Sequence, residues 1–276
     1  MNPASSNGIS RKAGAGAFGG GLAIGALGGL IGLGGAEFRL PLLIGAFRFG
    51  ALEAVIVNKA MSLVVVAAAL PMRTGTVPAE SLAAHWPILL DLLAGSLLGA
   101  WVGAGWATRL ASRTLYRVLA ILLVAMAAAL LVGHGVEAGD GALPAGAAQL
   151  IAGVAAGFAI GVVASLMGVA GGELLIPTLV LLFGLDLKLA GSLSLCISLP
   201  TMLVGFARYS RARAFAVLAG NWPFVAVMAA GSIAGSFLGA VLLGVVPVVV
   251  LLPALSAILL MSAAKVWHHG QGGRLR

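Results

Sequence analysis

Two glutamates stand at matched places in an apolar chain. Glu37 lies in GLAIGALGGLIGLGGAEFRLP, residues 21–41, and Glu173 in GFAIGVVASLMGVAGGELLIP, residues 157–177. A carboxylate inside a membrane segment is costly and usually functional, so the pair could hold a proton or a sodium ion that accompanies a substrate. Each also has a structural reading: Glu37 could pair with Arg39 or Lys59, and Glu173 could cap a helix. Arg39 and Lys59 would attract an anion, or else pair with Glu37 or Glu53; neither has a charged counterpart in the second segment, where Leu175 and Leu195 stand. Asn58 and Ser62 fall four residues apart, on one helix face, and so do their counterparts Ser194 and Ser198. These four amide and hydroxyl side chains, with Ser192 beside them, offer hydrogen-bond donors to a solute. Alternatively they bind neighbouring helices, at under about 1 kcal/mol each.

A shift of 136 residues, without a gap, relates the two segments: it carries Gly32 onto Gly168, Gly35 onto Gly171 and Pro41 onto Pro177. It also carries Trp86-Pro87 onto Trp222-Pro223 and Gly95-Ser96 onto Gly231-Ser232. From 21 to 104, 24 of 84 aligned positions are identical, well above chance even in so biased a composition. The chain is therefore an internal duplication. In an apolar protein that pattern points to a transporter with its site at the interface of the halves.

Composition fixes the class. The chain is 61% hydrophobic and 9% charged, against roughly 25% charged residues in soluble domains. Apolar runs of the length needed to cross a bilayer recur, without the alternation of a transmembrane β-barrel. The 41 glycines suit closely packed membrane helices. A net charge of +8 could suggest nucleic acid, but the basic residues lie between apolar runs and at the ends, where they orient membrane helices. No nucleic acid is expected as a partner, and the lipid bilayer is. The single Cys196 sits in an apolar segment and reads as packing. The four histidines have no metal-ligand spacing, and neither a phosphate-binding loop nor an HExxH motif occurs, so no cofactor, metal or ATP hydrolysis is expected. Arg11 and Lys12 ahead of an apolar run resemble a signal peptide, yet residues 17–36 match an interior stretch, so the segment is expected to remain.

The elements that must position these residues follow. The sequence predicts an all-α polytopic bundle of eight long spans and two short segments, 38–47 and 174–184. Residues 1–15 form a disordered cytoplasmic tail, 16–133 the first transmembrane repeat, 134–146 an external linker, 147–267 the second repeat and 268–276 a second cytoplasmic tail. The long helices are expected over 16–34, 51–70, from 86 to about 107, and on to Gly133, then over 147–170, 188–207, 216–244 and 248–267. Lys and Arg concentrate in the N-terminus, the turns 109–117 and 208–213 and the C-terminus, which the positive-inside rule places in the cytoplasm. Equivalent loops then face opposite sides, so the repeats are inverted. The short segments cannot span alone as straight helices; whether they are re-entrant or parts of broken spans is open. Either way the two Gly-rich turns lie at membrane depth, where unwound backbone must be buried in protein or line a cavity. Pro41 and Pro177 are expected in the first turn of the short helices. Their exposed N–H groups would then form an anion site. Trp86 and Trp222 read as interfacial anchors.

These breaks, GLGGAEFRLP (32–41) and GVAGGELLIP (168–177), resemble the Gly-rich motif that opens each half of the sulfite exporter TauE/SafE family, a likeness running from about 16 to 267. The resemblance implies transport of small anions such as sulfite, sulfonates and other organosulfur compounds across a bacterial inner membrane. It also implies a site framed by Gly32, Gly34, Gly35, Ala36, Pro41, Gly168, Gly171, Gly172 and Pro177. The chain departs from the motif at Ala36 and Ala170, and at Glu37 and Glu173, where the family often has an apolar residue. The expected activity is non-enzymatic alternating access, with Glu37 and Glu173 coupling it to H⁺ or Na⁺ and with a homodimer as one possible assembly. A carboxylate transporter or an anion channel of the same fold is the alternative, and an intramembrane enzyme using the two acids is a more distant one.

Overall fold

The computed structural model describes residues 11–31, 35–73, 79–132, 146–210, 215–242 and 248–271. They form helices and the turns between them, with no strand among the described residues. The first half holds α1 (Arg11–Ile31), α2 (Ala36–Gly45), α3 (Ala51–Arg73), α4 (Ala79–Ala84), α5 (Trp86–Arg109) and α6 (Ser112–Val132). The second holds α7 (Ala147–Met167), α8 (Gly172–Phe183), α9 (Leu187–Ser210), α10 (Phe215–Gly220), α11 (Trp222–Leu242) and α12 (Val248–Gln271). Every helix of the first half begins 136 residues before its counterpart, from Arg11 and Ala147 to Ser112 and Val248. The duplication is thus structural as well as sequential.

Among the described residues, six helices are long and apolar enough to cross a membrane: α3, α5, α6, α7, α9 and α11. The other two long helices are the Gly-rich α1 and α12, which carries Lys265, His268 and His269 in its last turns. The element pattern differs from the sequence expectation in several places. A short helix, α4, occupies what reads as a polar loop, and the expected continuous helix 216–244 is two helices, α10 and α11, separated at Asn221. The Asn221 side chain donates to the carbonyl of Val217 at 2.9 Å, and Pro223 follows at the start of α11, where its missing N–H is tolerated. Helix α1 begins at Arg11, five residues before the expected 16, and α12 runs to Gln271, into the expected tail. The expected linker, apart from Gly146, lies outside the described residues.

The halves interlock through glycine. A Cβ placed at Gly95, Gly99 or Gly103 of α5 would fall 2.0, 2.0 and 2.6 Å from the carbonyl oxygens of Val154, Phe158 and Val162 of α7. Partners advance in step along both helices, so α5 and α7 run parallel. The equivalent pair is α11 on α1, where a Cβ at Gly231 or Gly235 would lie 2.4 and 2.1 Å from the carbonyls of Phe18 and Leu22. Small residues at every fourth position let backbones approach this closely. Around these pairs, α6 packs on α12, α3 on α9, α2 on α12 and α8 on α6, each contact either mapping onto itself or onto another when the halves are exchanged.

Candidate functional site

Both expected breaks are present. Helix α1 ends at Ile31 and α2 starts at Ala36; α7 ends at Met167 and α8 starts at Gly172. Gly35, Gly168 and Gly171 hold φ of 66°, 69° and 84°, a left-handed backbone that glycine adopts at little cost. Space is short as well: a Cβ on Gly168 would lie 2.2 Å from the carbonyl oxygen of Val55, and one on Gly35 would lie 2.5 Å from that of Ile24. Gly32 and Gly34 lie outside the described residues.

The prolines depart from the sequence expectation. Pro41 and Pro177 are each the sixth residue of their helix, not in the first turn, because α2 and α8 begin directly after the glycine turn. Their missing N–H therefore withholds the donor that would close onto the carbonyls of Glu37 and Glu173. The N-terminal residues of α2 and α8 are instead Ala36-Glu37 and Gly172-Glu173. Neither helix start has a side-chain cap, so each presents the backbone donors and positive dipole end that bind anions.

Glu37 and Glu173 are buried, at 0% and 4% exposure. Their carboxyl groups come within interaction range of each other across the two halves, yet none of their four oxygens receives a hydrogen bond from another donor. Arg39, also fully buried, lies two residues on from Glu37 in α2, about half a turn round the helix, and acts on it electrostatically. The Arg39 Nη1 donates to Ser62 Oγ at 3.4 Å.

Helix α3 carries the remaining expected residues into the break of the opposite half. Asn58 Nδ2 donates to the carbonyls of Ala36, 2.9 Å, and Met167, 3.2 Å. One amide thus ties the start of α2 to the end of α7. Lys59 Nζ donates to the Ala164 carbonyl and to Ser165 Oγ, both at 3.3 Å, and Ser62 Oγ donates to the Gly168 carbonyl at 3.4 Å. Tyr209 Oη of α9 adds a 2.7 Å bond to the Ser165 carbonyl. The carbonyls of Ala164, Ser165 and Met167 at the end of α7, which a helix end leaves without internal donors, are thereby satisfied. Sequence reasoning did not find Tyr209 or Ser165; a tyrosine and a serine in apolar helices were the only signals.

The second half does not mirror this. Ser194 bonds within its own helix, to the Gly191 carbonyl at 2.8 Å, while Ser198 Oγ is buried without a partner. Ser192 likewise turns back onto its own helix, to Lys188. Buried cations occur at Arg39 and Lys59 but not at Leu175 and Leu195, so the field at the site is lopsided toward first-half residues. Trp86 and Trp222 are 60% and 64% exposed at the starts of α5 and α11, as interfacial anchors would be. Asp91 is buried against Gly153 with both oxygens unpartnered, well away in sequence from the breaks. No group of three or more His, Cys, Asp or Glu able to hold a metal occurs among the described residues.

A family model described as Sulfite exporter TauE/SafE matches residues 17–266, nearly the whole chain. No curated protein and no solved structure matches it. The chain belongs to the TauE/SafE family.

Proposed function

We propose that this TauE/SafE family member is a secondary transporter of small anions in a bacterial inner membrane. Sulfite, a sulfonate or another organosulfur anion would bind between the two broken helices and cross by alternating access. The observation that carries this reading is the pair of uncapped helix starts, α2 and α8, each following a left-handed glycine and each beginning with a buried carboxylate. Backbone donors at Ala36–Glu37 and Gly172–Glu173 would receive the anion, with Arg39 and the unpartnered Ser198 hydroxyl beside them. Lys59 would add positive potential from its place against α7. Asn58, Ser62 and Lys59 would hold the break in this conformation and release it as the halves rearrange. Glu37 and Glu173 would couple the movement to a cation.

The halves are read as inverted, with both termini cytoplasmic. Support comes from α3 and α9. Val66 and Met202, equivalent under the 136-residue shift, share one buried cluster. Lys59, whose own equivalent is Leu195, instead reaches Gly205, ten residues further along (205 − 195), where an added Cβ would lie 3.0 Å from its Nζ. That pairing suits antiparallel equivalent helices, and hence a two-fold axis lying in the membrane plane.

The test is a binding screen of the purified protein against sulfite, thiosulfate, sulfonates and small carboxylates, followed by flux into proteoliposomes. Saturable, gradient-dependent flux of an anion that binds is expected, and it should be impaired in Glu37→Gln and Glu173→Gln proteins that still insert. Full transport by the double variant would remove the acids' role, and non-saturable flux would favour a channel.

A further inference from the structure

We infer that Glu37 and Glu173 form one proton site: a single proton shared between the two carboxyls, whose binding makes room for one anion. The inference rests on the transport reading above and names its coupling ion. Both carboxyls are buried, they lie within interaction range of each other, and neither accepts a hydrogen bond from another side chain. Two ionised carboxylates so placed repel one another in a medium that screens poorly. One proton removes that repulsion and turns the pair into donor and acceptor, satisfying the geometry as it stands. The two residues are equivalent under the 136-residue shift, so the pair brings together matched positions of the two halves.

The surroundings argue for a proton over a metal cation. Helix α2 packs on α1, α3 and α12, and α8 on α6, α7 and α9. The charged or titratable residues on these elements are Arg11 and Lys12 of α1, Glu53, Lys59 and Arg73 of α3, and Lys265, His268 and His269 of α12. To them are added Arg113, Tyr116 and Arg117 of α6 and Lys188, Cys196, Arg208 and Tyr209 of α9; α7 has none. Of the charged side chains, only Arg39 and Glu173 act on Glu37, and only Glu37 acts on Glu173. A cation between the acids would feel the positive field of Arg39, and a divalent metal would find no third acidic, His or Cys ligand among the described residues. Charge then links the proton to the substrate. With Glu37 and Glu173 ionised, they balance Arg39 and Lys59, two negative against two positive. One shared proton leaves a single net positive charge among these four groups at the breaks, which an anion neutralises. Proton and anion bind together and cross together, and anion affinity rises as pH falls.

Two measurements on the full-length protein test this. Infrared difference titration in sodium-free detergent solution reads the carboxylic-acid C=O stretch without any anion present, with Asp91→Asn as the background that removes the other buried, unpartnered carboxyl. A buried acid band is expected near neutral pH, and either Glu37→Gln or Glu173→Gln should abolish it, because the glutamine amide supplies the donor that the proton supplied. If those variants fail to fold, the Asp91→Asn background decides alone: absence of the band at every pH overturns the inference. Its survival in both glutamine variants overturns it too, as does stabilisation by sodium that depends on the two acids. Next, methanesulfonate, the anion of a strong acid, is added to weakly buffered protein. Uptake of about one proton per anion bound, and affinity falling about tenfold per pH unit on the alkaline side, are expected in the wild type. Glu37→Gln should bind the anion with neither effect. Binding without proton uptake in the wild type contradicts the inference while leaving the transport reading intact. An acid band with no anion bound from the whole screen contradicts the transport reading while leaving the proton site.

Discussion

Replacing Gly99 with alanine should loosen the α5–α7 seam, and the size of the effect can be read from the backbone. A Cβ there would meet the Phe158 carbonyl oxygen at 2.0 Å, its carbon at 2.8 Å and the Phe158 Cα at 3.0 Å. All three atoms are backbone and cannot swing aside. Restoring an ordinary contact of about 3.4 Å requires parting the helices by as much as about 1.4 Å, and forced separations of that kind cost roughly 1–3 kcal/mol. Alanine also gains about 1 kcal/mol in helix propensity over glycine, so a control is needed. Gly19 of α1 provides it, since a Cβ there meets nothing within 4 Å. Propensity cancels between Gly99→Ala and Gly19→Ala, leaving the packing term. Reversible unfolding of the purified proteins in mixed micelles should place Gly99→Ala about 1–3 kcal/mol below Gly19→Ala. Equal stabilities would refute the claim that the halves are clamped by direct backbone contact.

Asn58→Ala leaves the Ala36 and Met167 carbonyls without their shared donor and should cost about 1–3 kcal/mol, with Asn58→Ser recovering part; micellar unfolding measures both. Lys59→Leu installs the residue found at the equivalent position 195. The protein should stay folded while anion affinity falls by about tenfold or more, or about 1.4 kcal/mol, in a binding titration. Ser198→Ala should leave stability within about 0.5 kcal/mol, because its hydroxyl has no partner, yet weaken anion binding in the same titration.

Much of the site was legible because duplication doubles a weak signal. One Gly-rich stretch in an apolar chain could be mere packing; two in register located the turns at Gly35, Gly168 and Gly171, whose positive φ follows from a reversal with no room for a Cβ. The shift of 136 residues likewise placed the helix starts. Less was legible where the outcome depended on distant partners. That Asn58 and Lys59 serve the end of α7, more than a hundred residues away, depends on tertiary packing that no local pattern encodes. The prolines were misplaced because their usual preference for a first turn was applied, when the glycine turn started each helix two residues before the expected 38 and 174. The short α4 escaped notice because six residues hold too little periodicity to stand out from a loop, and α10 was read as one helix with α11 because both sides of Asn221 are apolar.

The inverted relation of the halves is tested most directly by labelling Trp86→Cys and Trp222→Cys, each in a Cys196→Ser background, with a membrane-impermeant maleimide applied to intact spheroplasts. Both tryptophans are exposed at the starts of equivalent helices. The account predicts that position 86 labels from outside and position 222 only after the membrane is opened. Labelling of both from the same side would contradict it.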